Sequence, residues 1–132
     1  MAQLDWKDVL NIGLPRIDEQ HKELIALSNG LLQAMVNGMG ADVLEDVFNE
    51  LRDYTCTHFA DEERYMEELG YPQLVEHQAA HRQLTRDVDQ FRIRLLSGKD
   101  LSPTEALDFL NNWIIKHIME MDSQIGIYAK SL

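Results

Sequence analysis

The chain has 132 residues, and its 45% hydrophobic and 27% charged content is that of a folded globular protein, not a disordered one. With 23 acids against 12 bases the formal charge is -11, so the basic footprint that a nucleic acid requires is missing, and the same sign disfavours an anionic membrane face. No apolar run approaches a membrane span, the start Met1 to Trp6 carries no signal-peptide pattern, and the lone Cys56 cannot form an internal disulfide, so a reducing cytoplasm is the expected compartment.

Residues 1–15 are expected to form an N-terminal arm anchored by Trp6, with Pro15 just ahead of the first helix. That helix, over about 18–37, places His21, Leu24, Ser28, Leu31 and Met35 on one stripe, and Asn37-Gly38-Met39-Gly40 ends it. The second, 41–69, carries Val47, Leu51, Tyr54, His58, Glu62 and Tyr65 in steps of 4, 3, 4, 4 and 3 before Gly70-Tyr71-Pro72. The third, 72–96, carries His77, His81, Leu84, Val88, Phe91 and Leu95, and Ser97-Gly98-Lys99-Asp100 follows it. Ser102-Pro103-Thr104-Glu105 is a capping box with proline at the first helical position, so the fourth helix starts at Pro103 and runs to 121 or beyond. Its stripe is Leu107, Leu110, Ile114, His117 and Met121. Four amphipathic helices joined by short turns predict an all-α, antiparallel up-down-up-down four-helix bundle, one domain over 1–132.

The stripes hold groups that a plain core excludes. All 5 histidines (His21, His58, His77, His81 and His117) lie on them, and so does Glu62. Antiparallel geometry brings these groups to one level. His21 and His58 are equidistant from the first turn, each roughly 28 Å from it at 1.5 Å per residue. His77 and Asp122 are equidistant from the third, and His81 and His117 nearly so. The His58/Glu62 and His77/His81 pairs match across the second to within about 3 Å. Asp122 is the misfit. Five residues after His117, it sits about 140° around a regular helix, and reaches the layer only by leaning in or where the helix is overwound or bulged.

A single core histidine is ordinarily a hydrogen-bonded structural residue. Five at one level with two acids is a different case, because each unsatisfied polar group costs about 1–3 kcal/mol. A hydrogen-bonded network is one solution, and a metal site that consumes the lone pairs is the other. Imidazole and carboxylate without thiolate suit iron, zinc, copper, nickel or manganese. Seven side chains exceed one ion. Two octahedral ions sharing both carboxylates and an oxygen bridge would leave one open position for a small ligand. No Glu-x-x-His precedes any histidine (the third residues upstream are Asp18, Thr55, Leu74, Gln78 and Ile114), which disfavours a ferritin-like oxidase, and no His-Glu-x-x-His zinc-protease motif occurs. Asp61, Glu63, Glu67 and Glu68 are mostly solvated face, Cys56 reads as a packing residue, and Tyr54 as core.

The segments Ile17-Asp18-Glu19-Gln20-His21-Lys22, His58-Phe59-Ala60-Asp61-Glu62-Glu63, His77-Gln78-Ala79-Ala80-His81 and Trp113 through His117 to Asp122 resemble the hemerythrin family, in particular its single-domain bacterial members. The likeness runs from about Trp6 to Tyr128. It implies a non-haem diiron centre with an oxo or hydroxo bridge. His77, His81 and His117 would bind one iron and His21 and His58 the other, with Glu62 and Asp122 bridging. The five-coordinate iron would take O2 reversibly. Leu24, Trp113, Ile114 and Ile118 are placed to line a dry O2 pocket, which slows autoxidation. Ser123 stands where many bacterial members carry lysine.

The function expected from this resemblance is O2 transport, storage or delivery to an oxygen-using enzyme. The protein is expected to be no enzyme, apart from weak peroxidase-type activity. The alternatives are an O2 or redox sensor module and a diiron peroxidase or nitric-oxide-handling enzyme. A sensor is expected to be fused to a signalling domain, and nothing follows Tyr128 but four residues. No nucleic acid and no membrane insertion is expected.

Overall fold

A computed structural model describes residues 3–97 and 101–132. Helix α1 is Pro15–Val36, α2 Ala41–Leu69 and α3 Leu74–Leu96. The fourth rod begins as α4, Pro103–Leu110, passes through two π-helical segments, Asn111–Ile115 and Ile118–Asp122, and ends as α5, Ser123–Ser131. A 3₁₀ turn, Asp8–Leu10, lies in the arm. Gly98, Lys99 and Asp100 of the third expected turn lie outside the described residues.

The signals at the helix ends are physical ones. Pro15 is the first residue of α1, not a residue ahead of it; its fixed φ suits a first turn, where no N–H is needed. Gly70 ends α2 at φ 66°, and Tyr71 N–H then bonds back to the Met66 carbonyl. Tyr71 is buried against Tyr128, and α3 begins at Leu74, two residues after the expected 72. The Ser102–Glu105 capping box forms in both directions.

The rods are antiparallel neighbours. Gln20 near the start of α1 bonds Asp61 late in α2. Arg92 late in α3 pairs with Glu45 early in α2, and Arg94 pairs with Glu105 at the start of α4. Leu24, Leu31, Phe48, Leu51, Leu110 and Ile114 fill the core between them. Phe91 stacks on Phe109 with centroids 4.5 Å apart. No helix among the described residues is long and apolar enough to cross a membrane.

Trp6 of the arm packs half-buried against the core, with the Lys22 ammonium 5.3 Å from its ring centroid, and Leu4, Leu10 and Ile12 of the arm, which the sequence did not single out, are buried. Ile12 N–H also donates to Asp18 Oδ1, so a buried carboxylate staples the arm to α1. The fourth helix runs beyond 121, to Ser131, and the arm crosses it at Gly126, where any Cβ would collide with the Ile12 carbonyl.

Candidate metal centre

The structure brings all seven expected residues together. His21 comes from α1, His58 and Glu62 from α2, His77 and His81 from α3, and His117 and Asp122 from the fourth rod, and each is buried. Asp122 arrives by a bulge. The segment Ile118–Asp122 is π-helical, so the turn is underwound, not overwound. An i to i+5 repeat returns position 122 to the face of His117, and Asp122 Oδ1 lies 3.0 Å from His117 Nε2.

Every histidine presents Nε2, and each carboxylate is divided between two groups of rings. Glu62 Oε1 lies 3.0 Å from His77 and 3.1 Å from His81, whereas Oε2 faces His58 at 3.3 Å and His21 at 3.5 Å. Asp122 Oδ1 lies 2.9 Å from His77 and 3.0 Å from His117, whereas Oδ2 faces His21 at 2.9 Å. Two ligand sets result. Glu62, His77, His81, His117 and Asp122 offer donor atoms within 4.8 Å of one another, and so do His21, His58, Glu62 and Asp122.

Only part of this proximity is hydrogen bonding. His81 Nε2 and Glu62 Oε1 are hydrogen-bonded at 3.1 Å, but among the described residues His21, His58, His77 and His117 Nε2, Glu62 Oε2 and both Asp122 oxygens are buried without a hydrogen-bond partner. Orphans of this kind cost about 1–3 kcal/mol each. A cation between them would take up the lone pairs, so the donor set fits a metal and is poorly explained as a polar network.

The site's electrostatics are those of an unbalanced charge cluster. Burial acts to lower His21, but the contacts to Asp122 and Glu62 outweigh it and raise it to about 9. His77 is raised to about 9 in the same way. Burial pushes Glu62 up, yet the histidines around it hold it well below the usual carboxylate range. Asp122 is also pushed up by burial and by Glu62, and is brought down by His117 and His21.

A shell that the sequence pattern does not disclose surrounds these groups. Glu63 is not solvated face: its Oε2 lies 2.8 Å from His81 Nδ1. Asp61 accepts from Gln20 Nε2 at 2.9 Å, and Gln20 Oε1 lies 2.8 Å from His58 Nδ1. Phe59 stacks on His81 at 3.9 Å and 7°. Its place immediately after His58 was the available signal. Cys56 is exposed, not packed. Leu24, Trp113, Ile114 and Ile118 are all buried, and Trp113 Nε1 donates to the Leu84 carbonyl, which leaves the indole no free donor.

The architecture defines the class: a four-rod helical bundle with a buried histidine-carboxylate cation site. Residues 13–126 match the family model described as the hemerythrin HHE cation binding domain. The chain is 42% identical to a bacteriohemerythrin of Stenotrophomonas maltophilia over 99% of its own length and 84% of that protein's. It is 37% identical to a bacteriohemerythrin of Pseudomonas paraeruginosa, with 93% and 79% covered. A crystal structure of wild-type hemerythrin superposes with a TM-score of 0.83 over 96% of this chain and 97% of the other, at 23% identity. The chain belongs to the hemerythrin family.

Proposed function

We propose that this protein binds O2 reversibly at a diiron centre. His77, His81 and His117 would hold one iron, His21 and His58 the other, and Glu62 and Asp122 would bridge them. The observation that carries this reading is the division of the two carboxylates: in each, one oxygen faces one group of histidines and the other oxygen faces the second group. A network built only for stability would have no need of that symmetry. The unequal donor sets, three rings against two, would let the His21/His58 side take a small ligand once metal is bound. The irons would supply the two electrons that O2 takes up on binding.

This chain's own residues supply the rest. Leu24, Trp113, Ile114 and Ile118 exclude water, and none of them presents a free proton donor. That favours release of the bound gas unchanged over turnover, and so a non-enzymatic role in O2 transport, storage or delivery. The family membership and the bacteriohemerythrin relatives support the same reading.

Metal analysis tests it. Protein loaded with iron(II) under anaerobic conditions is expected to hold two irons per chain, and the Asp122→Ala variant to lose most of that content while remaining helical. One iron per chain in the parent protein, or a preference for zinc, would overturn the diiron assignment.

A further inference from the structure

The two halves of the centre are supported from behind in different ways. His81 Nδ1 lies 2.8 Å from the Glu63 carboxylate. His58 Nδ1 meets a neutral group instead, the Gln20 amide oxygen, also at 2.8 Å. The other face of that amide is fixed, since Gln20 Nε2 donates to Asp61 Oδ2 at 2.9 Å. Asp61 is itself flanked by Arg16 at 3.5 Å and Arg64 at 3.6 Å. A carboxylate accepts only, so it dictates which way the amide points. With its NH2 group turned to Asp61, Gln20 can offer His58 nothing but an acceptor. His58 must then carry its proton on Nδ1, and its Nε2 lone pair is left free toward the centre.

His21, the second ring of that half, has no such partner: its Nδ1 is buried without a hydrogen bond. That half also has the smaller donor set, four groups against five. Its hold on a cation therefore depends on the one imidazole whose orientation is enforced.

We infer that Gln20 is the positioning residue for the His21/His58 half of the centre, relaying the negative charge of Asp61 to the His58 ring. The inference rests on the diiron reading above. Gln20 touches neither metal nor O2, and it acts by fixing the tautomer and aim of a ligand, as outer partners of metal-bound histidines do. The path Arg16–Asp61–Gln20–His58 runs from an exposed guanidinium to the buried centre in three contacts.

The test titrates iron(II) anaerobically into metal-free protein against a coloured iron(II) chelator, for the parent chain, Gln20→Leu, and the double variant Gln20→Glu/Asp61→Asn. The double variant keeps the net charge and reverses the relay: the new carboxylate accepts from His58, and the new amide at position 61 donates to it. Gln20→Leu is expected to keep one iron at parental strength and to bind the second 10- to 100-fold more weakly. The double variant is expected to restore the second iron. Parental affinity for both irons in Gln20→Leu would overturn the inference, and so would a double variant that stays as weak as the single one. If Gln20→Leu does not fold, the double variant decides by the same criterion, with full loading expected and single loading contradictory. A parent chain that binds fewer than two irons would instead bring down the diiron reading itself.

Discussion

His117 Nε2 and Asp122 Oδ1 lie 3.0 Å apart although five residues separate them, a spacing that a regular α-helix would send to different faces. The π-helical turn Ile118–Asp122 closes that gap. π-Bulges cost hydrogen-bond geometry and persist where a side chain must be re-aimed. Inserting one alanine after the exposed Glu120 should carry Asp122 about 100° further around the rod, away from His117. The expected result is a chain of near-parental helicity by circular dichroism that binds iron at least about tenfold more weakly. Unchanged iron binding would mean that the register set by the bulge does not serve the centre.

Ser28 offers a test of the core. Its hydroxyl is fully buried on α1 and has no hydrogen-bond partner among the described residues. Ser28→Ala removes an unsatisfied group at little change in volume, so stability should rise by about 0.5–1.5 kcal/mol. A thermal melt checks this, and a fall in the midpoint would show that the hydroxyl has a partner such as a buried water.

Gly126→Ala should do the opposite. The added methyl would meet the Ile12 carbonyl, which is backbone and cannot swing aside. A loss of about 1–3 kcal/mol is expected in denaturant unfolding, with limited proteolysis cutting the arm first. An unaffected variant would contradict the close crossing.

The metal-free protein should show a definite dependence on pH. His21 and His77 are raised to about 9 in the fold, above their ordinary value near 6.5. The folded state therefore holds more protons than the unfolded one between those limits. The stability these groups provide is complete below about 6.5 and is lost as the pH climbs through about 9. Glu62 and Asp122 are lowered, so their share is present above about 4 and is lost in acid. The melting temperature of the apoprotein should peak at mildly acidic pH, between these two losses. A melting temperature that rises from pH 6.5 to 9 would contradict the charge assignment.

Much of this centre was legible in the sequence, because its ligands obey the same 3.6-residue period as the core. His77 and His81, or His58 and Glu62, declare themselves simply by falling on an apolar stripe. Asp122 was only half legible, since a π turn breaks the period that reveals the others. Gln20, Asp61 and Glu63 were not legible as partners. They sit one position off the stripe, where the same pattern describes a solvated face, and only the packed helices show that Gln20 and Glu63 each reach a ring nitrogen and that Asp61 holds Gln20. The arm was only partly legible for a related reason. Trp6, its largest side chain, does pack against the core, but Leu4, Leu10 and Ile12 are the more deeply buried ones, and no periodicity in so short a segment marks which face turns inward.

Reversible O2 binding is read out optically. Iron-loaded protein is reduced without air, and its visible spectrum is recorded as O2 is added, removed under argon and added again. The expected result is a coloured oxygenated form, one O2 per two irons, that bleaches on removal and returns over repeated cycles. Oxidation at the first addition, with no bleaching and no return, would contradict it.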